Sequence, residues 1–233
     1  MKKSNFLSEL DKRGISCSTE QVNLLWEFMK EVLETNKKFN LTAIKDEETF
    51  AEKMIFDSAL LLNNQNFAGQ DIVDIGTGAG FPSVVISILS PDAHIIAIDS
   101  TAKKIDFINS FAKKHNLNVK AISVRAEDFA RENRDKFLLV TARAVAPLRI
   151  LLELAMPMLK VGGHLIAFKG PDFEKEISEA QSAFKKLNCE VNYIYEDQLP
   201  ESGESRYFIY VRKLCATLDK YPRTFGEIKN KPL

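Results

Sequence analysis

Between residues 71 and 82 an apolar run, Asp71-Ile-Val-Asp74-Ile, breaks into Gly76-Thr-Gly78-Ala-Gly80-Phe-Pro82, with glycine at three alternate positions. Nineteen residues after Gly80 a second apolar run, Ile95-Ile-Ala-Ile98, ends on Asp99. A strand, a glycine turn, a helix and a second strand tipped by a carboxylate commit a chain to an α/β sheet with a ligand crevice at its strand ends. Glycine admits positive φ and lets backbone approach a ligand closely. Pro82 suits the start of the following helix, where its missing N–H is no loss.

The ligand such a turn holds contains adenosine. Asp99 would accept hydrogen bonds from both ribose hydroxyls, and a dinucleotide or S-adenosylmethionine (SAM) offers these equally. The spacing here is GxGxG, whereas the dinucleotide fingerprint asks for glycine at position 81, where Phe81 stands. That favours SAM, because no pyrophosphate needs the third glycine's close helix approach. A nicotinamide cofactor is the weaker alternative.

The chain of 233 residues suffices for one α/β domain with an extension. It has no run near the roughly 18 apolar residues of a membrane span, and its first residues lack a signal-peptide core. The expectation is a cytoplasmic protein without a membrane partner, read as a monomer. Cys17, Cys189 and Cys215 are scattered, with no CxxC or Cys/His cluster, so neither a disulfide framework nor a metal site is expected. The net charge of zero conceals basic stretches: eleven Lys/Arg against five Asp/Glu in 101–149, and seven against three in 204–233. One basic face is enough for an RNA partner, although solvated helix faces produce the same counts.

Periodicity predicts amphipathic helices over 19–39 and from 47 to about 62, then an alternation of units. Strands are expected at 71–75, 94–98, 119–124, 137–143 and 163–168, with helices at about 81–90, 102–115, 127–131, 147–159 and 172–187. Strands near 189–195 and 206–212 read as a hairpin at one sheet edge. Residues 1–66 are thus expected to form a helical extension packed on a domain spanning 67–233. The domain is α/β, a Rossmann-like, seven-stranded, mostly parallel sheet with helices on both faces, the order of a class I SAM-dependent methyltransferase. Its strand ends present Gly76, Asp99, Arg125-Ala126-Glu127, Arg143 and Lys169. Glu127 suits an adenine amino group or, equally, the first turn of a helix. Arg143 is placed to grip a carboxylate or face a substrate.

These strand ends, together with Asn40-Leu-Thr-Ala-Ile44, Asp57-Ser58, Asp99-Ser100, Ala142-Arg-Ala-Val-Ala-Pro147, Lys160-Val-Gly-Gly163, Lys169-Gly170 and the tail Tyr221-Pro-Arg223, resemble one family. It is the ribosomal small-subunit methyltransferase G family (RsmG, or glucose-inhibited division protein B). The resemblance implies SAM-dependent methylation of guanine N7 in 16S rRNA of the small subunit or an assembly intermediate. It also implies that Gly76, Phe81, Ala126, Glu127 and Arg143 contact the cofactor, beside Asp74, Gly78, Gly80 and Asp99 of the turn. Asn40, Lys169, Arg206 and Arg223 are the candidates for RNA, and Tyr221 a candidate to stack on a nucleotide. No catalytic residue is assigned. Two positions depart from the family pattern: Met54 stands where histidine is usual, and Ser83 where glycine is usual. A small-molecule methyltransferase, or a protein that binds SAM and RNA without transfer, remain the alternative readings.

Overall fold

The computed structural model describes residues 1–233. Helices α1 (Lys3–Asp11) and α2 (Thr19–Asn36) open the chain. A capping box starts α2: Ser18 accepts from the Gln21 amide while the Gln21 side chain accepts from the Ser18 amide. Past its end, Asn36 Oδ1 accepts from the amides of Leu41 and Thr42, at 2.7 and 3.0 Å, and folds the connecting loop back. A broken helical run follows: α3 (Glu47–Phe50), a π-helical turn (Ala51–Phe56), α4 (Asp57–Ala59) and α5 (Leu61–Asn64).

The sheet then begins with β1 (Asp71–Ile75), α6 (Ser83–Leu89), β2 (His94–Asp99), α7 (Ala102–Lys114) and β3 (Val119–Ser123). It continues with α8 (Ala126–Glu132), β4 (Phe137–Arg143), α9 (Leu148–Ala155) and β5 (Leu159–Lys169). Helices α10 (Phe173–Glu179) and α11 (Gln181–Leu187) lead to β6 (Cys189–Gln198), β7 (Ser205–Lys213) and α12 (Phe225–Asn230). Strand order is β3-β2-β1-β4-β5-β7-β6. The first five strands pair in parallel, and β7 runs antiparallel to both β5 and β6. The order reverses between β1 and β4, so the crevice outside their carboxyl ends is where such a sheet receives a ligand.

The period of two along the strands divides the core. Ile72, Ile166, Phe208 and Tyr210 face one side, which α1–α7 cover. Val73, Val140, Leu165, Ile209 and Val211 face the other, which α8–α12 cover. The N-terminal helices therefore share a hydrophobic core with the sheet: Phe28 of α2 lies against Phe81 and Phe111, at 5.1 and 4.8 Å between ring centroids.

The structure departs from the sequence expectations at several places, beginning with the helix expected from 47 to about 62, which is broken by a π-helical turn. Helices α1 and α12 were not expected, each being short with only two and one buried side chains, respectively. The helix expected over 147–159 stops at Ala155, and Leu159 already pairs with Phe137 as the first residue of β5. Lys160-Val-Gly162-Gly163 then absorbs a register shift before regular pairing resumes at His164. The helix expected over 172–187 is broken at Ala180, whose ψ is 2°.

Candidate functional site

The three glycines of the β1–α6 turn have positive φ, and their surroundings separate their roles. A Cβ at Gly76 would lie 2.7 Å from Val145 Cγ2, on the lining of the crevice. A Cβ at Gly80 would lie 2.7 Å from Val84 Cγ2 and 3.1 Å from Phe28 Cζ, inside the core. Gly78 has only the Gly76 carbonyl, at 3.9 Å, near a Cβ built there, and donates its amide to Asp99 Oδ2 at 3.1 Å. Asp99 Oδ1 accepts from the Thr101 amide at 2.9 Å. Each carboxylate oxygen keeps lone-pair capacity for a ribose hydroxyl, while the two amides hold the group at the strand tip.

Behind the turn, Asp74 is fully buried and accepts a 2.9 Å hydrogen bond from Thr141. The hydroxyls of Thr77 and Ser83, 2.6 Å apart, complete the pocket around it. Asp74 is thus a support beneath the glycine loop rather than a residue of the crevice. Ser83, the departure from the family pattern, supplies one of its hydroxyls. Burial pushes the Asp74 carboxyl up to about 6, against the lowering effect of these hydroxyls. Its folded-state value lies above the unfolded one, so its contribution to stability is full below about pH 4 and lost as pH rises through 6. Asp74→Asn cannot ionise, and its stability relative to the parent should climb between those limits by roughly 3 kcal/mol. Thermal unfolding of both proteins from pH 4 to 7.5 checks this, and a pH-independent difference would rule it out.

A cavity of about 380 Å³ opens at the ends of β1, β2 and β3, lined by Gly76, Asp99, Ala126 and Glu127. Ile75, Ile98, Val145 and Ile150 give it apolar walls. The size and the mixture of apolar walls with a few polar groups suit a small ligand. These groups would suit adenosine: the Asp99 carboxylate to accept from the ribose, Glu127 at the end of β3 to accept from the adenine amino group, and a glycine floor that a Cβ would fill.

A second cavity, of about 470 Å³, shares the wall Val145-Ala146-Pro147 with the first. Arg143, Lys169 and Arg206 converge there with Asp57 and Glu176. The π-helical turn brings Met54 and, just beyond it, Asp57 and Ser58 against Arg143. One guanidinium nitrogen lies 3.3 Å from Asp57 Oδ2, the Met54 carbonyl and Ser58 Oγ alike, and another touches the Met54 sulfur. Arg206 Nε approaches Asp57 Oδ1 at 3.2 Å without completing a hydrogen bond, leaving that buried oxygen without a donor. Burial raises the Asp57 carboxyl above its usual range, and the Arg143 and Arg206 guanidinium groups oppose the rise. Lys169 pairs with Glu176 at 2.7 Å and donates to the Ala146 carbonyl at 2.9 Å, fixing the wall between the cavities.

Several expected site residues lie elsewhere. Phe81 points into the core between Phe28 and Phe50 and lines neither cavity. Arg143 faces the second cavity rather than the first. Asn40 is exposed on its loop and lines neither. Tyr221, considered for nucleotide stacking, is buried in the core. Arg223, considered for RNA, is engaged by Glu153: Nε to Oε1 at 2.8 Å and Nη2 to Oε2 at 2.6 Å. Lys213 of the basic tail is also fully buried, bonded to Asp135 and to the Met156 and Leu159 carbonyls. Glu176 and Phe225 line the cavities and were not singled out from sequence, because nothing in their local spacing marks them; Asp57, part of the family pattern without an assigned role, and Lys229 of the basic tail line them too. The carboxylates of Glu27 and Glu31 also meet His115 on the surface, where the Lys114 ammonium pairs with both.

Residues 21–202 match the family described as rRNA small subunit methyltransferase G. A relative of that name from Lactobacillus delbrueckii subsp. bulgaricus is 40% identical over 98% of both chains. Another from Streptococcus pyogenes serotype M1 is 39% identical over the whole of both. The chain belongs to the rRNA small subunit methyltransferase G family. Among solved structures, M. jannaschii TYW2 in complex with AdoMet aligns at a TM-score of 0.58 and 15% identity, over 75% of this chain and 81% of that one. A SAM-dependent methyltransferase of Methanosarcina mazei aligns at 0.53 and 16%, over 66% and 97%. At such identities the likeness is one of fold, and the fold is the class I SAM-dependent methyltransferase fold. As a member of the methyltransferase G family the chain is a methyltransferase whose cofactor is SAM. No helix is long and apolar enough to cross a membrane.

Proposed function

We propose that this protein methylates N7 of a guanine in 16S rRNA of the small ribosomal subunit, with the acceptor base entering the basic cavity beside the cofactor crevice. The observation that carries the reading is the shared wall Val145-Ala146-Pro147, which separates a crevice suited to adenosine from a cavity holding three cations and two carboxylates. The family membership supplies the rRNA substrate class.

The cofactor, when bound, supplies an electrophilic methyl group on a sulfonium. Guanine N7 carries a lone pair and no proton, so the reaction asks for no general base and no covalent nucleophile. The chain's task is alignment and exclusion of water, a positioning effect that can supply about 7–11 kcal/mol. Arg143 or Arg206 donates to guanine O6 by giving up one of its internal partners, while a donor directly on N7 would block attack.

The test is methyl transfer from labelled SAM to small subunits that lack the modification, with the labelled nucleoside identified after digestion. Recovery as 7-methylguanosine supports the proposal. Label on another nucleoside would overturn the N7 assignment, transfer only to a small acceptor would favour the small-molecule reading, and SAM binding without transfer the non-catalytic one.

A further inference from the structure

The C-terminal segment lines one end of the first cavity. Phe225 and Lys229, both on α12, line the same cavity as Asp99 and Glu127, although they lie about a hundred residues further along the chain. Their place is at the β3 end of the cavity: the Phe225 ring lies under the Arg125 guanidinium at 5.6 Å, next to Ala126 and Glu127. Both side chains are exposed, while Ile228 between them is buried and seats the helix on the sheet's second face.

The approach to α12 is fastened by charge. Glu153 of α9 has no exposure and takes Arg223 in a two-pronged ion pair, accepting also from the Arg223 amide at 3.0 Å. Arg223 Nη1 reaches forward to the Lys231 carbonyl at 3.0 Å, spanning α12 from end to end. Arg131 donates to the Arg223 carbonyl at 2.9 Å, and Arg134 to the Thr217 and Tyr221 carbonyls, so three arginines hold the segment in place. A bidentate arginine–carboxylate pair fixes direction as well as distance. Within the tail, Arg206, Lys213 and Arg223 are engaged by the protein itself.

We infer that Phe225 and Lys229 are binding residues for the adenosine part of the cofactor, Phe225 packing on the purine and Lys229 closing its rim, and that Arg223 positions them. The inference rests on the cofactor and is independent of which base is methylated. An aromatic face against a purine is worth about 1–3 kcal/mol by alanine substitution.

Titration calorimetry of the full chain, freed of bound nucleoside, with SAM and with adenosine tests it. Wild-type binding of SAM is the control on the cofactor itself. Phe225→Ala should weaken SAM and adenosine by the same factor, about tenfold or more, and Phe225→Tyr should restore affinity to within about twofold. Arg223→Ala should weaken both ligands as well, and its effect should vanish in a Phe225→Ala/Lys229→Ala background, which a merely structural role would not produce. Unchanged affinity in the Phe225→Ala/Lys229→Ala protein would overturn the inference. So would weakening of SAM alone, which would put the tail at the methionine end.

Discussion

Arg143→Met should abolish methyl transfer and destabilise the protein by about 3 kcal/mol, the lower part of the range for breaking a buried ion pair. The guanidinium is the main partner of Asp57, a carboxylate with almost no exposure, and it also satisfies the Met54 carbonyl and Ser58. Without it Asp57 retains only the imperfect approach of Arg206 at 3.2 Å. Arg206 is why the expected loss lies low in that range. The deficit should shrink as pH falls, because Asp57 already protonates above the usual carboxylate range. Arg143→Met/Asp57→Asn should recover much of the stability and none of the activity. Urea unfolding of the three proteins decides the matter; a single variant as stable as its parent would show that Asp57 does not bear a buried charge.

The second large effect separates two glycines that the motif presents as equivalent. Gly76→Ala should lower SAM affinity at least tenfold, since its Cβ would lie 2.7 Å from Val145 on the wall of the crevice and its φ is +65°. Displacing Val145 changes the wall of the cavity proposed to hold the cofactor. Gly80→Ala meets Val84 and Phe28 instead, and its φ is +101°. Its expected loss is of stability, about 2–4 kcal/mol from overpacking together with backbone strain. Thermal unfolding with and without SAM distinguishes the two: the first variant should lose the stabilisation that ligand confers, and the second should melt early yet retain it. The reverse pattern would contradict the division of the turn into a ligand face and a core face.

Much of the fold was legible because its signals are local. Strand β1, the glycine turn and Asp99 follow from apolar runs and turn residues that act within a few positions, and the alternation of units implied a parallel sheet. Elements whose formation depends on partners were less legible. Helix α12 is a six-residue segment opened by a Thr224–Glu227 capping box, with one buried side chain, Ile228, and the Arg223–Glu153 pair ties its start to the sheet. Leu159 continues the apolar pattern of α9, yet it pairs with Phe137, and only the sheet's presence chooses between helix and strand there. The π-helical turn at Ala51–Phe56 has no sequence mark, and it leads the chain into Asp57 against Arg143.

By itself the sequence determined the type of fold, the position of the glycine turn, the carboxylates at the strand tips and the family resemblance, all of which depend on spacing along the chain. The tertiary structure alone decided which charged groups are free and which are spent. Arg143, Lys169, Arg206 and Arg223 look alike as basic residues near strand ends or in the tail, but each has its carboxylate: Asp57, Glu176, Asp57 again and Glu153. The partners of Arg143 and Arg223 come from elements remote in sequence, whereas Glu176 stands in the helix that follows the Lys169 strand, and Arg206 also pairs with nearby Glu204 at 2.8 Å. A charge buried among them must be paired to be tolerated, so packing, rather than residue type, sets whether an arginine binds a ligand or holds the protein together.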